Sequence, residues 1–338
     1  MKNVLVIPAF NPSVNLINLI DSLLNSFVKI IIIDDGSMSY ESRDIFNKLE
    51  KLSKILVLKH KVNLGKGKAL KTGFVYCVNN LKFDYLITAD ADGQHLNSDI
   101  IRVSNNTLAQ KSDLIMGERE FDAKVPFRSR VGNVITAKIF SFLYALNLKD
   151  TQTGLRAYKK NNIKEIILIK GNGYEYESNV LKWAAKSKKK ISSIKISTVY
   201  IDNNSSSNFS PLKDSIKIYI SIIGFPVSSL ISFLLDYLIF IILYITTNTL
   251  FISIFFARII SCFANFKINR IFFLDNQKKI FWYAQRYLVL SIAVLIISYL
   301  FILFLINLNF SPYLSKIIAD SILYFVSIFF HKKILSLR

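Results

Sequence analysis

Four long apolar runs occupy the C-terminal part of this chain of 338 residues. They are residues 218–245, 250–266, 283–307 and 313–330. A helix needs about 20 apolar residues to cross the hydrocarbon core of a bilayer, and the second run is at the short end of the tolerated range. We therefore expect an all-α transmembrane domain of four helices at residues 211–338, after a domain of different character at residues 1–210.

Charged residues are unevenly distributed among the connections between these runs. Residues 246–249 and 307–312 contain none, whereas the connection between the second and third runs is basic. Because basic residues concentrate on the cytoplasmic side, this connection and both termini are expected in the cytosol, in a multi-pass protein of the cytoplasmic (inner) membrane. The first ten residues agree, since they lack the pattern of a signal peptide.

The chain carries a formal net charge of +20. Nucleic acid attracts such a surface, but anionic lipid headgroups attract the same residues, and the apolar half favours the membrane. No nucleic-acid partner is therefore expected. Cys77 and Cys262 are the only cysteines, one in each part, so neither a disulfide framework nor a cysteine zinc site is supported.

Short runs rich in Val and Ile alternate with helical patterns in the first domain. The runs are residues 4–10, 30–34, 55–59, 85–90 and 113–117, and the helical patterns are residues 16–24, 67–79 and 99–111. This alternation predicts an α/β, Rossmann-like domain with a mostly parallel sheet. The Asn- and Ser-rich residues 202–211 are expected to form the loop that ends it.

Polar side chains follow three of these predicted strands. Asn11 comes after the first, Asp34 and Asp35 after the second, and Asp90 and Asp92 after the fourth. In parallel sheets, ligands bind at the carboxyl ends of the strands, so these residues are expected at a common site.

Asp90 and Asp92 are two residues apart and can converge on one hard cation, with Gln94 joining from the following turn. A cation held by few protein ligands leaves positions for the phosphate oxygens of a departing nucleoside diphosphate. The alternative is a polar loop at a strand end.

Two further clusters suit a nucleotide. A carboxylate of the Asp34-Asp35-Gly-Ser turn could accept hydrogen bonds from a base or ribose, although turn formation and helix capping explain the segment nearly as well. Residues 63–69 contain two glycines and two lysines, with Lys66 and Gly67 at the centre, and they precede a predicted helix. This arrangement is suited to binding phosphate, but the segment lacks the spacing of a Walker motif.

Four arginines, Arg119, Arg128, Arg130 and Arg156, lie between the cation candidate and the membrane part. Their guanidinium groups either bind phosphate through paired hydrogen bonds or are solvated.

Three charged residues lie within the apolar runs, namely Asp236, Arg258 and Asp320. Asp236 and Arg258 could form an ion pair that holds the first two spans together, or these charges could line a polar path for a lipid phosphate or sugar.

In combination, several motifs resemble glycosyltransferase family 2 in order and spacing. They are residues 6–11, 34–37, 63–69 and 90–95. Residues 117–119, 128–133 and 150–156 narrow the resemblance to dolichol-phosphate mannose synthases and bacterial polyprenyl-phosphate glycosyltransferases. The C-terminal part resembles a GtrA-like four-helix domain, through Asp236 and residues 265–270.

The resemblance implies a GT-A fold and a role for each motif. Asp90, Asp92 and Gln94 would bind Mg²⁺ or Mn²⁺ and the donor diphosphate. The other substrate-binding residues would be Pro8, Ala9, Asn11, Asp34, Asp35, Lys66, Gly67, Arg128 and Arg156. The catalytic set would be Asp92, Arg119 and Arg130, the two arginines holding the acceptor phosphate. Pro12 and Gly93 depart from the family pattern. The resemblance therefore does not imply a nucleotide contact from position 12, and it does not imply that the sugar is mannose.

The expected function is inverting transfer of a sugar from a UDP- or GDP-linked donor to undecaprenyl or dolichyl phosphate. A phosphate monoester is already an anionic nucleophile at neutral pH, so no strong general base is required. A lipid-linked-sugar translocator and a processive polysaccharide synthase are the alternatives, although the Gln-x-x-Arg-Trp motif of the latter is missing. Pairing of the membrane helices into a homo-oligomer stays open.

Overall fold

A computed structural model describes residues 2–119, 127–197, 210–273 and 277–336, without the side chains of some residues inside these ranges. The chain divides into two compact units, Met1–Ile222 and Ile223–Arg338. Residues 202–209, in the loop predicted to end the first domain, lie outside the described residues.

The described part of the first unit contains a seven-stranded sheet in the order β3-β2-β1-β4-β6-β5-β7. The strands are β1 (Val4–Ala9), β2 (Lys29–Asp34), β3 (Ile55–Lys59), β4 (Tyr85–Thr88), β5 (Leu114–Arg119), β6 (Arg156–Lys159) and β7 (Ile191–Ile196). All neighbouring strands are parallel except that β6 runs antiparallel to β4 and β5. The predicted mostly parallel α/β sheet is confirmed.

Helices cover both faces of this sheet. They are α1 (Asn15–Leu23), α2 (Tyr40–Glu50), α3 (Lys66–Asn80), α4 (Asn97–Asn105), α5 (Thr107–Gln110), α6 (Phe127–Tyr144), α7 (Ile163–Ile167), α8 (Glu175–Lys186) and α9 (Pro211–Ile223). α1, α2 and α4 pack on one face, and α3, α6, α7, α8 and α9 on the other. The central strands are buried on both faces, which explains their continuous apolar sequences.

The second unit consists of long helices. They are α10 (Phe225–Thr247), α11 (Leu250–Phe273), α12 (Gln277–Asn307) and α13 (Pro312–Ser336). Among the described residues, three segments are long and apolar enough to cross a membrane, namely Ser228–Thr247, Leu250–Arg270 and Ala284–Asn307. The first predicted span, residues 218–245, is divided at Gly224. Its residues 218–222 lie in α9 and belong to the first unit. The fourth falls in α13, whose side chains after residue 324 are not described.

Four charged side chains, three of them buried, connect three of these helices. Asp236 of α10 lies 2.5 Å from Lys316 of α13, and Lys316 lies 2.6 Å from Asp320. Arg258 of α11 lies 2.5 Å from Asp320 and 3.7 Å from Asp236, so the ion pair of Arg258 with Asp236, one of the two alternatives from sequence, is present, with Asp320 as the nearer partner. Since a charge within a bilayer is costly, two acids and two bases in contact allow these helices to pack as a neutral set.

Removing one member of this charge network is predicted to destabilise the protein more than removing a matched pair. Lys316→Met leaves the buried Asp236 without its nearest counter-ion, a loss of about 3–5 kcal/mol for a buried pair. In Asp236→Leu combined with Lys316→Met, Arg258 and Asp320 still neutralise each other, so stability should recover. The melting temperature in detergent measures both; a double variant that melts at or below the single variant would contradict the network.

Candidate active site

The loops after β1 and β2 are joined at the carboxyl edge of the sheet. Pro8 and Ala9 end β1, and Asn11 follows with a left-handed φ of 47°. The Asn11 backbone N–H donates to Ser37 Oγ at 2.8 Å, and the Ser37 N–H donates to Asp34 Oδ1 at 2.8 Å. The nucleoside-binding residues predicted from these two loops are therefore close together, with Asn11 exposed and Asp34 mostly buried.

Asp35 organises the loop that precedes α3. Its carboxylate is 3% exposed and accepts from the backbone N–H groups of Leu64 at 3.0 Å and Gly65 at 2.8 Å. His60 Nδ1 lies 2.7 Å from the same carboxylate, and His60 Nε2 lies 2.9 Å from Thr72 Oγ1. Because a carboxylate only accepts, Nδ1 carries a proton. These contacts position the residues at the start of α3.

Close packing at two glycines places Lys66 at the first position of α3. Gly65 has a φ of 97°, and a Cβ there would lie 2.4 Å from the carbonyl oxygen of Asn172. A Cβ on Gly67 would lie 2.5 Å from the Cβ of Tyr176, so Gly67 brings α3 against α8. A larger residue at either position would displace the lysine.

Lys66 lies between two carboxylates. Its Nζ is 2.6 Å from Asp90 Oδ1 and 2.8 Å from Glu177 Oε2. Burial alone would lower the pKa of Lys66, but the Asp90 and Glu177 carboxylates outweigh it and raise this pKa above its usual value. Burial alone would raise the pKa of Asp90, but Lys66 holds it well below its usual range. Both groups are therefore charged at neutral pH.

Asp90 is also packed against the loop before β6. A Cβ on Gly154 would lie 2.3 Å from Asp90 Oδ2, so only glycine fits there. Thr88 Oγ1 donates to the Gly154 carbonyl at 2.8 Å and fixes this approach. His95 Nε2 lies 3.5 Å from Asp90 Oδ2 and, within the described residues, is buried without a hydrogen-bond partner.

The Asp90–Gln94 turn supplies oxygen ligands of the kind that Mg²⁺ and Mn²⁺ accept. Asp92 Oδ1 accepts from the Gln94 N–H at 3.0 Å. Burial and the like charge of Asp90 raise the pKa of Asp92, a repulsion that a bound cation would relieve. The described residues contain no cluster of three or more His, Cys, Asp or Glu side chains suited to a metal. Asp90, Asp92 and the Gln94 amide fit a cation that takes its other ligands from substrate.

Arg119 is held at the end of β5 by a buried carboxylate. Its Nε lies 2.5 Å and its Nη2 3.1 Å from the two oxygens of Asp150, which is 0% exposed. The Gln152 N–H donates to Asp150 Oδ1 at 3.0 Å. Because Asp150 and Gly154 belong to one loop, this loop connects the predicted phosphate-binding arginine to the predicted cation site.

Arg156 has a different environment from that predicted. It is fully buried at the start of β6 and donates to three backbone carbonyls, of Thr153 at 2.8 Å, Glu177 at 2.7 Å and Thr151 at 3.1 Å. These contacts fix the loop after Asp150 to the first turn of α8. In the structure, Arg156 therefore positions neighbouring backbone.

The other two predicted arginines are in α6. Arg130 is exposed, and the side chain of Arg128 lies outside the described residues. Asn133 of the same helix donates to the Lys149 carbonyl at 2.7 Å and accepts from the Thr151 N–H at 3.2 Å. α6 is thus attached to the loop that holds Arg119.

Asp150 and Glu177 are absent from the residues predicted from sequence. Asp150 begins one of the motifs that carry the family resemblance, which is a signal that could have found it. Glu177 lies in the first turn of α8, and no pattern in the sequence distinguishes it from a solvated helical glutamate.

Comparisons with known proteins agree with the sequence motifs. Residues 4–170 match the family model Glycosyl transferase family 2. The UDP-N-acetylglucosamine–dolichyl-phosphate N-acetylglucosaminyltransferase of Methanococcus voltae is 31% identical over 217 residues, which are 59% of this chain and 86% of that protein. The dolichyl-phosphate beta-glucosyltransferase of Dictyostelium discoideum is 28% identical over 240 residues, covering 63% and 72% of the two chains.

A solved structure has the same fold at low identity. It is glucosyl-3-phosphoglycerate synthase from Mycobacterium tuberculosis in complex with Mn²⁺, UDP and phosphoglyceric acid. The match has a TM-score of 0.51 and 16% identity, and it covers 66% of this chain and 78% of that one. The GT-A fold implied by the sequence motifs is confirmed.

Gly154→Ala is predicted to weaken divalent cation binding by about 10–100-fold, the usual effect of disturbing a residue that supports a metal ligand. The added Cβ would overlap the Asp90 carboxylate. Gly132→Ala in α6 is the matched control, because a Cβ there meets nothing within 4 Å. Mn²⁺ affinity is measured from the electron paramagnetic resonance signal of the free ion. Equal affinity in the two variants would argue against Asp90 as a ligand.

Proposed function

Because this chain belongs to glycosyltransferase family 2, we propose that it transfers a sugar, with inversion, from a UDP- or GDP-linked donor to a polyprenyl phosphate. The observation that carries the proposal is the similarity to the Methanococcus voltae enzyme, whose name gives both a nucleotide sugar and dolichyl phosphate. The match covers most of that enzyme and 59% of this chain, and the Dictyostelium discoideum relative also acts on a dolichyl phosphate by name.

The donor would bind along the carboxyl edge of the sheet. Asp90, Asp92 and Gln94 would hold Mg²⁺ or Mn²⁺, which when bound stabilises negative charge on the departing diphosphate. Lys66 adds a positive charge, in contact with Asp90 in this structure. A cation ligand, a lysine and a helix start at one edge support diphosphate binding there.

The nucleoside would lie over the joined loops that follow β1 and β2. Exposed Asn11 and half-buried Pro8 offer hydrogen-bonding and apolar surface for a base. The two carboxylates of this region are mostly buried, and Asp35 is already engaged by Leu64 and Gly65. Asp35 would therefore act mainly by shaping the donor site.

The acceptor would be activated by its own charge. A phosphate monoester carries between one and two negative charges near pH 7, so one of its oxygens can attack the anomeric carbon without a protein base. The new bond joins that oxygen to the anomeric carbon, and the bond from this carbon to the diphosphate breaks, leaving its electron pair on the nucleoside diphosphate. Arg119, oriented by Asp150, and Arg130 would align the acceptor for this in-line attack.

The membrane helices support a lipid acceptor and a location at a membrane. Three segments among the described residues are apolar enough to span one. Lys267 and Arg270 near the end of α11 favour a cytosolic position for that end, and hence for the transferase unit. An active site on the cytosolic side would meet nucleotide sugars where they are made.

The direct test is an assay of the purified full-length protein. It contains undecaprenyl or dolichyl phosphate, Mg²⁺ or Mn²⁺, and one UDP- or GDP-sugar at a time, and the lipid product is identified by mass. One donor should give a lipid-linked monosaccharide, and Asp92→Asn should abolish it. A repeating polymer would instead identify a polysaccharide synthase. Transport of a lipid-linked sugar that survives Asp92→Asn, without any synthesis, would identify a translocator.

Arg119→Gln is predicted to lower kcat/KM for the lipid phosphate at least about a hundredfold, because the acceptor loses a positioned charge. The KM for the donor should change little. Lys48→Gln is the control, because it also removes one positive charge, and the Lys48 side chain is 60% exposed in the last turn of α2, where it pairs with Asp44. An equal loss for both variants, or a loss in donor KM alone, would contradict the role of Arg119.

A further inference from the structure

Because Lys66 contacts Asp90, a divalent cation and the Lys66 ammonium group would compete for the Asp90 carboxylate. Lys66 Nζ is 2.6 Å from Asp90 Oδ1, and the Asp90 side chain is only 26% exposed. A divalent cation on Asp90 would lie close to Lys66 and repel it. Cation binding therefore requires either that Lys66 leaves Asp90 or that another group compensates its charge.

Glu177 is placed to keep Lys66 when it leaves Asp90. Its Oε2 lies 2.8 Å from Lys66 Nζ, and the side chain is 7% exposed. Its Oε1 is buried and, among the described residues, has no hydrogen-bond partner, so it can accept from the ammonium as well. The Glu177 backbone is fixed, because its carbonyl accepts from Arg156 Nη1 at 2.7 Å.

The charges of the cluster also match a divalent cation. When ionised, Asp90, Asp92 and Glu177 contribute three negative charges, and Lys66 returns one positive charge. The remaining two negative charges are those that one Mg²⁺ or Mn²⁺ neutralises. Without Glu177, Lys66 would depend on Asp90 alone, and the cluster would have one negative charge too few.

We propose that Glu177 is a positioning residue that holds Lys66 when a divalent cation occupies Asp90, so that the lysine changes from a bridge between two carboxylates to a pair with one. From that position its ammonium group can meet the diphosphate of the donor. The inference rests on the proposed function for the identity of cation and donor. In this inference Glu177 positions Lys66 and is not itself a ligand of the cation.

The test measures Mn²⁺ affinity of the full-length protein without nucleotide, from the electron paramagnetic resonance signal of the free ion. Glu177→Gln should weaken Mn²⁺ binding by about 10–100-fold, as changes next to metal ligands do, because Lys66 then stays on Asp90. Lys66→Met should strengthen Mn²⁺ binding while weakening UDP binding. The double variant restores the charge balance and should bind Mn²⁺ within about threefold of the wild type.

Glu175→Gln is the matched control. It removes the same charge from the same helix, but Glu175 Oε1 accepts from the Asn172 and Gly173 N–H groups, which an amide oxygen can also do. Its Mn²⁺ affinity should stay within about threefold of the wild type. A merely structural role for Glu177 predicts that the double variant binds Mn²⁺ as weakly as Glu177→Gln, and this result would overturn the inference.

The remaining outcomes separate this inference from the proposed function. If the wild type binds Mn²⁺ and Glu177→Gln binds it equally well, the positioning role is wrong while the cation site stands. If the wild type does not bind Mn²⁺ or Mg²⁺ at all, with or without UDP, both the cation assignment and the role of Glu177 are wrong. Melting temperatures of all variants identify any loss that comes from unfolding.

Discussion

The ion pairs of Lys66 with Asp90 and Glu177 join three elements that are distant in sequence: the start of α3, the turn after β4 and the first turn of α8. Neighbouring packing positions the two partners of this contact. Asp35 fixes the loop before Lys66, and Gly154 allows the loop before β6 to lie against Asp90. A largely buried ammonium between carboxylates persists only if each charge is compensated, which makes the site sensitive to every member of the cluster.

The loop from Asp150 to Leu155 connects the two halves of the proposed reaction. At one end Asp150 orients Arg119, and at the other Gly154 meets Asp90. A single short segment thus sets the relation between the group that would bind the acceptor phosphate and the group that would bind the donor. Arg156, buried beneath it, holds the loop through backbone carbonyls.

The sheet and the polar residues at its carboxyl edge could be predicted from sequence, because buried parallel strands are continuous apolar runs. β6 and β7 could not, since β6 has only four residues and β7 alternates polar residues at an edge. Lys66 and Asp90 were predicted separately, but their contact depends on tertiary packing. The burial of Arg156 and of Lys316 could not be predicted either, because a buried charge leaves no local pattern in the sequence.

Isotope labelling tests the central claim, that an oxygen of a lipid phosphate attacks the anomeric carbon. The acceptor is prepared with ¹⁸O in its non-bridging phosphate oxygens, and the product is analysed by mass spectrometry and NMR. We expect ¹⁸O in the bond between the phosphate and the sugar, with the anomeric configuration of the donor inverted. A product with unlabelled oxygen in that bond, or with retained configuration, would contradict the account.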